Sequence, residues 1–122
     1  MTDPRTHVAD AKRIAALWAG LLLAPAAFLL NLEAAYALVP AACRSGSLPI
    51  HLMNAVSLLL ALLGGLIAYR CRETEGAAWP RDESGAVART RFMATLGVLT
   101  SATFVLVILV QWIPGFVLSP CQ

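Results

Sequence analysis

Residues 14–39 read IAALWAGLLLAPAAFLLNLEAAYALV, an apolar run of 26 residues with a single formal charge, Glu33. A membrane-spanning helix needs about 20 mostly apolar residues, because each residue rises about 1.5 Å and the hydrocarbon core is about 30 Å thick. This run satisfies that length. Two further segments do so as well, His51–Tyr69 with 19 residues and Phe92–Ile113 with 22, and neither contains Lys, Arg, Asp or Glu. Together the three segments take 67 of the 122 positions.

The composition of the whole chain agrees. Of its residues 59% are hydrophobic and 13% charged, and its mean hydropathy is +0.74. Soluble domains carry about twice that share of charge. A chain in lipid must satisfy its own backbone hydrogen bonds, so helices are the natural spanning element. The alternation of a barrel strand is absent, and three strands could not close a barrel. The expected fold is therefore all-α, a single membrane domain over residues 1–122 with three transmembrane helices at about 14–39, 51–69 and 92–113.

Orientation follows from the basic residues. Arg5, Lys12 and Arg13 precede the first span, and Arg70, Arg72, Arg81, Arg89 and Arg91 lie between the second and third. Arg44 alone lies in the first loop, and no basic residue follows Ile113. The positive-inside rule then puts the N-terminus and the loop 70–91 in the cytoplasm, with the loop 40–50 and the C-terminus outside. The net charge of +2 is in this light a topology signal, and no basic patch with interleaved aromatics points to nucleic acid. Lys12-Arg13, the apolar run and Ala35-Tyr36-Ala37 imitate a signal peptide with its cleavage site. The run exceeds the usual 7–15 residues and carries Asn31 and Glu33, so we read it as a retained helix.

Local signals fill in the connections. Asp3-Pro4 suits a helix start, Asp10 and Arg13 are spaced to pair, and a short cytoplasmic helix is expected to feed the first span. Pro25 predicts a kink. Pro40 and Ser45-Gly46-Ser47 are expected to end the first helix, Trp79-Pro80 to mark a turn at the membrane interface, and Pro114-Gly115 to end the third helix.

The three cysteines divide by compartment. Cys43 and Cys121 face the oxidising side and Cys71 the reducing side, which predicts a Cys43–Cys121 disulfide. Such a bridge stabilises by about 2–4 kcal/mol. Two free outward thiols are the alternative. There is no CxxC and no zinc spacing, and neither a metal nor a haem site is expected.

Polar residues inside the spans carry the functional signal. Asn31 and Glu33 in the first, His51 and Asn54 in the second and Gln111 in the third fall at one depth, near the outer surface. Burying a charge in the bilayer costs about 2.5–3.5 kcal/mol on insertion scales. Glu33 is therefore expected to be paired or protonated, with His51 or Asn54 as its partner. The cluster reads either as a site (a proton path, a quinone contact, a docking point) or as interhelical hydrogen bonds that hold the bundle together. Small residues form a second pattern: Ser57, Ala61, Gly65 and Ala68 on the second helix, Gly97 and Ser101 on the third. Such faces let helices approach closely, within the chain or against a partner; Gly65, Gly97 and Ser101 are expected to contact the partner. No catalytic triad, phosphate loop, carboxylate pair or zinc motif is present, so no catalytic residue, metal or cofactor is assigned.

The stretch Pro25–Cys43 (PAAFLLNLEAAYALVPAAC), then Leu48-Pro49-Ile50-His51-Leu52, Arg91-Phe92 with Gly97, and Ile113-Pro114 with Cys121, resembles a group of uncharacterised small three-helix bacterial inner-membrane proteins. The likeness covers about residues 18–121; aromatic positions that are often Trp in the group are filled here by Phe28. Such proteins tend to be encoded beside aerobic terminal oxidase and cytochrome c genes. The resemblance implies a non-catalytic accessory subunit or assembly partner of a larger membrane complex, a respiratory terminal oxidase, in the bacterial inner membrane. The alternative is a homo-oligomeric small-molecule or ion transporter subunit built around Glu33 and His51. The expected partners are membrane lipid and either that complex or further copies of the chain, and no nucleic acid.

Overall fold

The computed structural model describes residues 3–74, 85–119 and 121. It consists of α1 (Pro4–Ser45), α2 (Leu48–Thr74), α3 (Gly85–Trp112) and one further turn, α4 (Pro114–Val117). No strand occurs among the described residues. Three segments are long and apolar enough to cross a membrane: His7–Ser45, Leu48–Glu73 and Ala88–Val117. The Trp79-Pro80 turn lies outside the described residues.

α1 and α2 overrun their apolar segments at both ends, and α3 overruns its segment at the N-terminal end. The short helix expected before the first span is instead its continuation. Asp3 caps α1 through its carboxylate, which accepts from the Arg5 N–H at 3.2 Å, and Pro4 occupies the first turn, where its missing N–H costs nothing. α1 then runs 42 residues, about 63 Å at the standard rise, and so outreaches any bilayer. It passes through Pro25 and Pro40 without ending, as membrane helices can where neighbours re-satisfy the freed carbonyls.

The loop expected over 40–50 shrinks accordingly to Gly46-Ser47. Gly46 takes φ 97°, a conformation that glycine adopts without strain, and its N–H closes on the Ala42 carbonyl at 2.9 Å. The Ser47 carbonyl at once accepts from Ile50 (3.1 Å) and His51 (3.2 Å), so α2 begins there, with Pro49 in its first turn.

Each long helix packs on the other two. α1 and α2 run antiparallel: Asn31 meets Asn54, and Gly20 meets Ala68 eleven residues earlier on α1 and fourteen later on α2. α3 runs alongside α1 and against α2. The interior is built of small residues. Ala24, Ala27, Ala42, Ala61, Ala68 and Ala94 are buried with Ser57 and Ser101, while among the described residues only Leu17 and Ile108 are large apolar residues in the core. The exterior carries the Leu, Val and Phe side chains. This inverts the usual soluble distribution and suits lipid, where close packing rather than hydrophobic burial drives helix association.

The closest approach is three-way. A Cβ on Gly20 would lie 3.0 Å from the Ala68 Cβ, and one on Gly97 would lie 3.0 Å from the same atom and 3.2 Å from the Gly20 carbonyl oxygen. One on Gly65 would lie 3.2 Å from the Ser101 Cβ. Ser57, Ala61, Gly65, Gly97 and Ser101 are thus spent on packing within the chain. That corrects the expectation that Gly65, Gly97 and Ser101 meet a partner. Nearer the disulfide, Phe28 and Phe104 stack tilted, with centroids 5.4 Å apart, against Ala24, Ala61 and Ile108.

Exposed aromatics mark two levels. Trp18, Tyr69 and Phe92 ring one end of the bundle, and Tyr36 and Phe116 the other. Trp18 and Tyr36 are eighteen residues apart on α1, about 27 Å at the standard rise, close to the thickness of a hydrocarbon core. Aromatic side chains favour both membrane interfaces, so these levels bound the embedded part.

Candidate functional site

The polar residues gather toward the end that carries the α1–α2 turn and the C-terminal tail. Asn31 is 1% exposed and Asn54 7%. The Asn31 Nδ2–H donates to Asn54 Oδ1 at 2.9 Å, and the Asn54 Nδ2–H donates back to the Ile50 carbonyl at 3.0 Å. That second bond sets the orientation of both amides. Asn54 must turn its NH2 to a carbonyl, which leaves its oxygen for Asn31. Asn31 Oδ1 then stays buried without a donor among the described residues. An amide oxygen left so in an apolar interior costs about 1–3 kcal/mol, so the pair locks α1 to α2 with one acceptor in reserve.

His51, three residues before Asn54, serves a different contact. The indole Nε1–H of Trp112 donates to its Nδ1 at 2.8 Å. A donor at Nδ1 requires the neutral imidazole with its proton on Nε2. Phe116 stacks on the same ring with centroids 4.7 Å apart and on Trp112 at 5.8 Å. α4 makes this possible. Pro114 cannot continue the hydrogen bonding of α3, and the extra turn folds Phe116 back over His51. Beyond it, Cys121 is disulfide-bonded to Cys43, with Cα atoms 5.5 Å apart, in the normal range for a bridge. Cys71 stands outside that bridge, half-buried. The tail is therefore tied to the α1–α2 turn by a ring stack and a covalent bond.

Two residues depart from the expected cluster. Glu33 is exposed on the outside of α1, and no hydrogen bond or ion pair reaches it from the described residues. Neither His51 nor Asn54 is its partner, since Trp112 and Asn31 hold those positions. The reason is helical geometry: residues two apart are turned by about 200°, so Asn31 inward places Glu33 outward. Gln111 is half-buried and makes no hydrogen bond to the described residues. The α3 donor in the cluster is its neighbour Trp112. A buried indole N–H usually finds an acceptor, and that was the signal for the His51 contact.

Among the described residues, no three His, Cys, Asp or Glu side chains come together as a metal would require. The open cleft beside the disulfide is lined by Ala42, Ser47, Gly115, Phe116 and Ser119 among others, none of them ionisable. Comparison with family models, with curated proteins and with solved structures returns no match to this chain.

Proposed function

We propose that the chain is a non-catalytic accessory subunit or assembly partner of a larger complex of the bacterial inner membrane, with its N-terminus in the cytoplasm. One observation carries this. Glu33 sits inside an apolar span, faces outward, and has no partner among the described residues. Ionisable groups at membrane depth almost always face protein or water and are paired. The remaining polar contacts, Asn31 with Asn54 and His51 with Trp112, close within the chain and leave Glu33 to something outside it. The respiratory character of the complex, and a terminal oxidase as its identity, rest on the family resemblance. The eight-to-one division of basic residues supports the orientation.

Affinity purification in mild detergent, with identification of co-purifying chains, tests the proposal. Stoichiometric recovery of a larger membrane protein is the expected result. Recovery of this chain alone, as a defined oligomer, overturns it in favour of a homo-oligomeric transporter subunit.

A further inference from the structure

The hydrogen bond between Trp112 and His51 has a property that the asparagine pair lacks: a proton can cancel it. A neutral imidazole accepts at one nitrogen and donates at the other, whereas the imidazolium donates at both. With Trp112 donating to Nδ1 at 2.8 Å, the ring's own proton is on Nε2, and a second proton has only Nδ1 to go to. The indole cannot respond by accepting, because its Nε1–H only donates. Bond and proton therefore exclude each other.

No other titrating side chain shares this position. From Phe92 onward α3, α4 and the tail bring no ionisable side chain except Cys121, which is bridged. α2 has none between His51 and Tyr69, and the turn Gly46-Ser47 has none. Toward this end α1 carries Glu33, Tyr36 and Arg44, all exposed and none hydrogen-bonded to the ring, and the bridged Cys43. The imidazole is half-buried, and its Nε2 is not sealed from the surroundings. Imidazole is the side chain that ordinarily changes charge between about pH 5 and 8.

The remaining ties outlast the proton. Phe116 stacks on the His51 ring at 4.7 Å between centroids, within the range at which an aromatic face attracts a cation. A Cβ on Gly115 would lie 3.7 Å from His51 Cε1 and 3.9 Å from Trp112 Cδ1, so the main chain of α4 borders both rings and follows their separation. The Cys43–Cys121 bridge holds the tail covalently. We propose that the Trp112–His51 contact is a proton-operated latch: a proton taken up on His51 Nδ1 releases the Trp112 indole, while Phe116 and the bridge keep the tail tethered. The latch answers to the pH on the side this end faces, the outer side in the orientation proposed above.

The test uses the purified full-length chain in lipid nanodiscs, where neither a partner nor the orientation in a cell enters, so its outcome is separate from that of the accessory-subunit reading. His7→Gln leaves His51 as the sole histidine. Heteronuclear NMR follows the His51 ring nitrogens and the Trp112 indole from about pH 8 to about pH 5. His51 should pass from the Nε2–H form to the imidazolium, and the indole N–H should lose its hydrogen-bonded shift with the same midpoint. Exchange of the Phe116 and Leu118 amides, which close the α4 turn, should quicken about fivefold after correction for intrinsic pH dependence, the factor that one ordinary hydrogen bond carries. His51→Asn sets an amide oxygen near the Nδ1 position and does not titrate, so both readouts should stay flat. Formation of the Cys43–Cys121 bridge is its folding control. An indole still bonded to a doubly protonated ring, a ring that stays neutral to about pH 5, or an indole shift that persists in His51→Asn overturns the proposal. If His51→Asn does not fold, the parent chain decides: coincident midpoints support the latch and separate ones overturn it.

Discussion

Trp112 at the end of α3 donates its indole N–H to His51 at the start of α2, 2.8 Å away, and Phe116 closes over both rings. This contact joins the last helix to the first turn of the second, 61 residues earlier. Because the indole can only donate, it also dictates which imidazole nitrogen carries the proton.

Trp112→Phe keeps a ring in place and removes the donor. The loss should be about 1 kcal/mol, the ordinary net value of one hydrogen bond, seen as a lower unfolding midpoint in detergent. A double-mutant cycle with His51→Phe should give a coupling energy of similar size. A coupling of zero would show that the hydrogen bond contributes nothing to stability.

The asparagine pair behaves asymmetrically. Asn54→Ala leaves the Asn31 Nδ2–H without its acceptor beside an Oδ1 that already has no donor among the described residues, whereas Asn31→Ala removes that Oδ1 and leaves only Asn54 Oδ1 without its donor, since Asn54 Nδ2 keeps the Ile50 carbonyl. Asn54→Ala should therefore be the more damaging change, by up to about 1.7 kcal/mol, the upper end measured for membrane hydrogen bonds. The double variant should cost less than the sum of the two. Equilibrium unfolding in mixed micelles measures all three.

Gly97→Val and Gly20→Val test the three-way approach of the helices. Each adds a Cβ within 3.0 Å of the Ala68 Cβ, where the main chain must give way. Overpacking of this kind costs about 1–3 kcal/mol. Gly46→Ala, whose Cβ would meet nothing, is a separate test: the cost there should come from its positive φ, about 1 kcal/mol.

The disulfide and the orientation are checked together. Non-reducing mass spectrometry should find Cys43 and Cys121 unavailable to alkylation until a reductant is added. Cys121→Ser should leave three packed helices but expose residues 113–122 to carboxypeptidase. A fluorescent protein fused before Met1 should be bright and a phosphatase fused after Gln122 active, as the positive-inside rule requires. The reverse pattern would invert the topology.

Much of this molecule is legible in the primary structure, and the misses are specific. The three spans are correct in number and type, yet Pro40 does not end α1, which runs on through it to Ser45. Cys43 and Cys121 pair as compartment and parity imply. His51 and Asn54 share a face as their spacing requires, but they take Trp112 and Asn31 rather than Glu33. Grouping Glu33 with Asn31 followed depth and neglected rotation.

The number of helices and their membrane character were thus decided by sequence alone, because in hydrocarbon each span must satisfy its own backbone and so answers to a local run of apolar residues. Which polar groups meet was decided only by the tertiary structure. The rotation and axial offset of α1, α2 and α3 come from the close fit of Gly20, Ala68 and Gly97, residues far apart in the chain. That fit turns Asn31 inward to Asn54 and Glu33 out toward whatever lies beside the bundle.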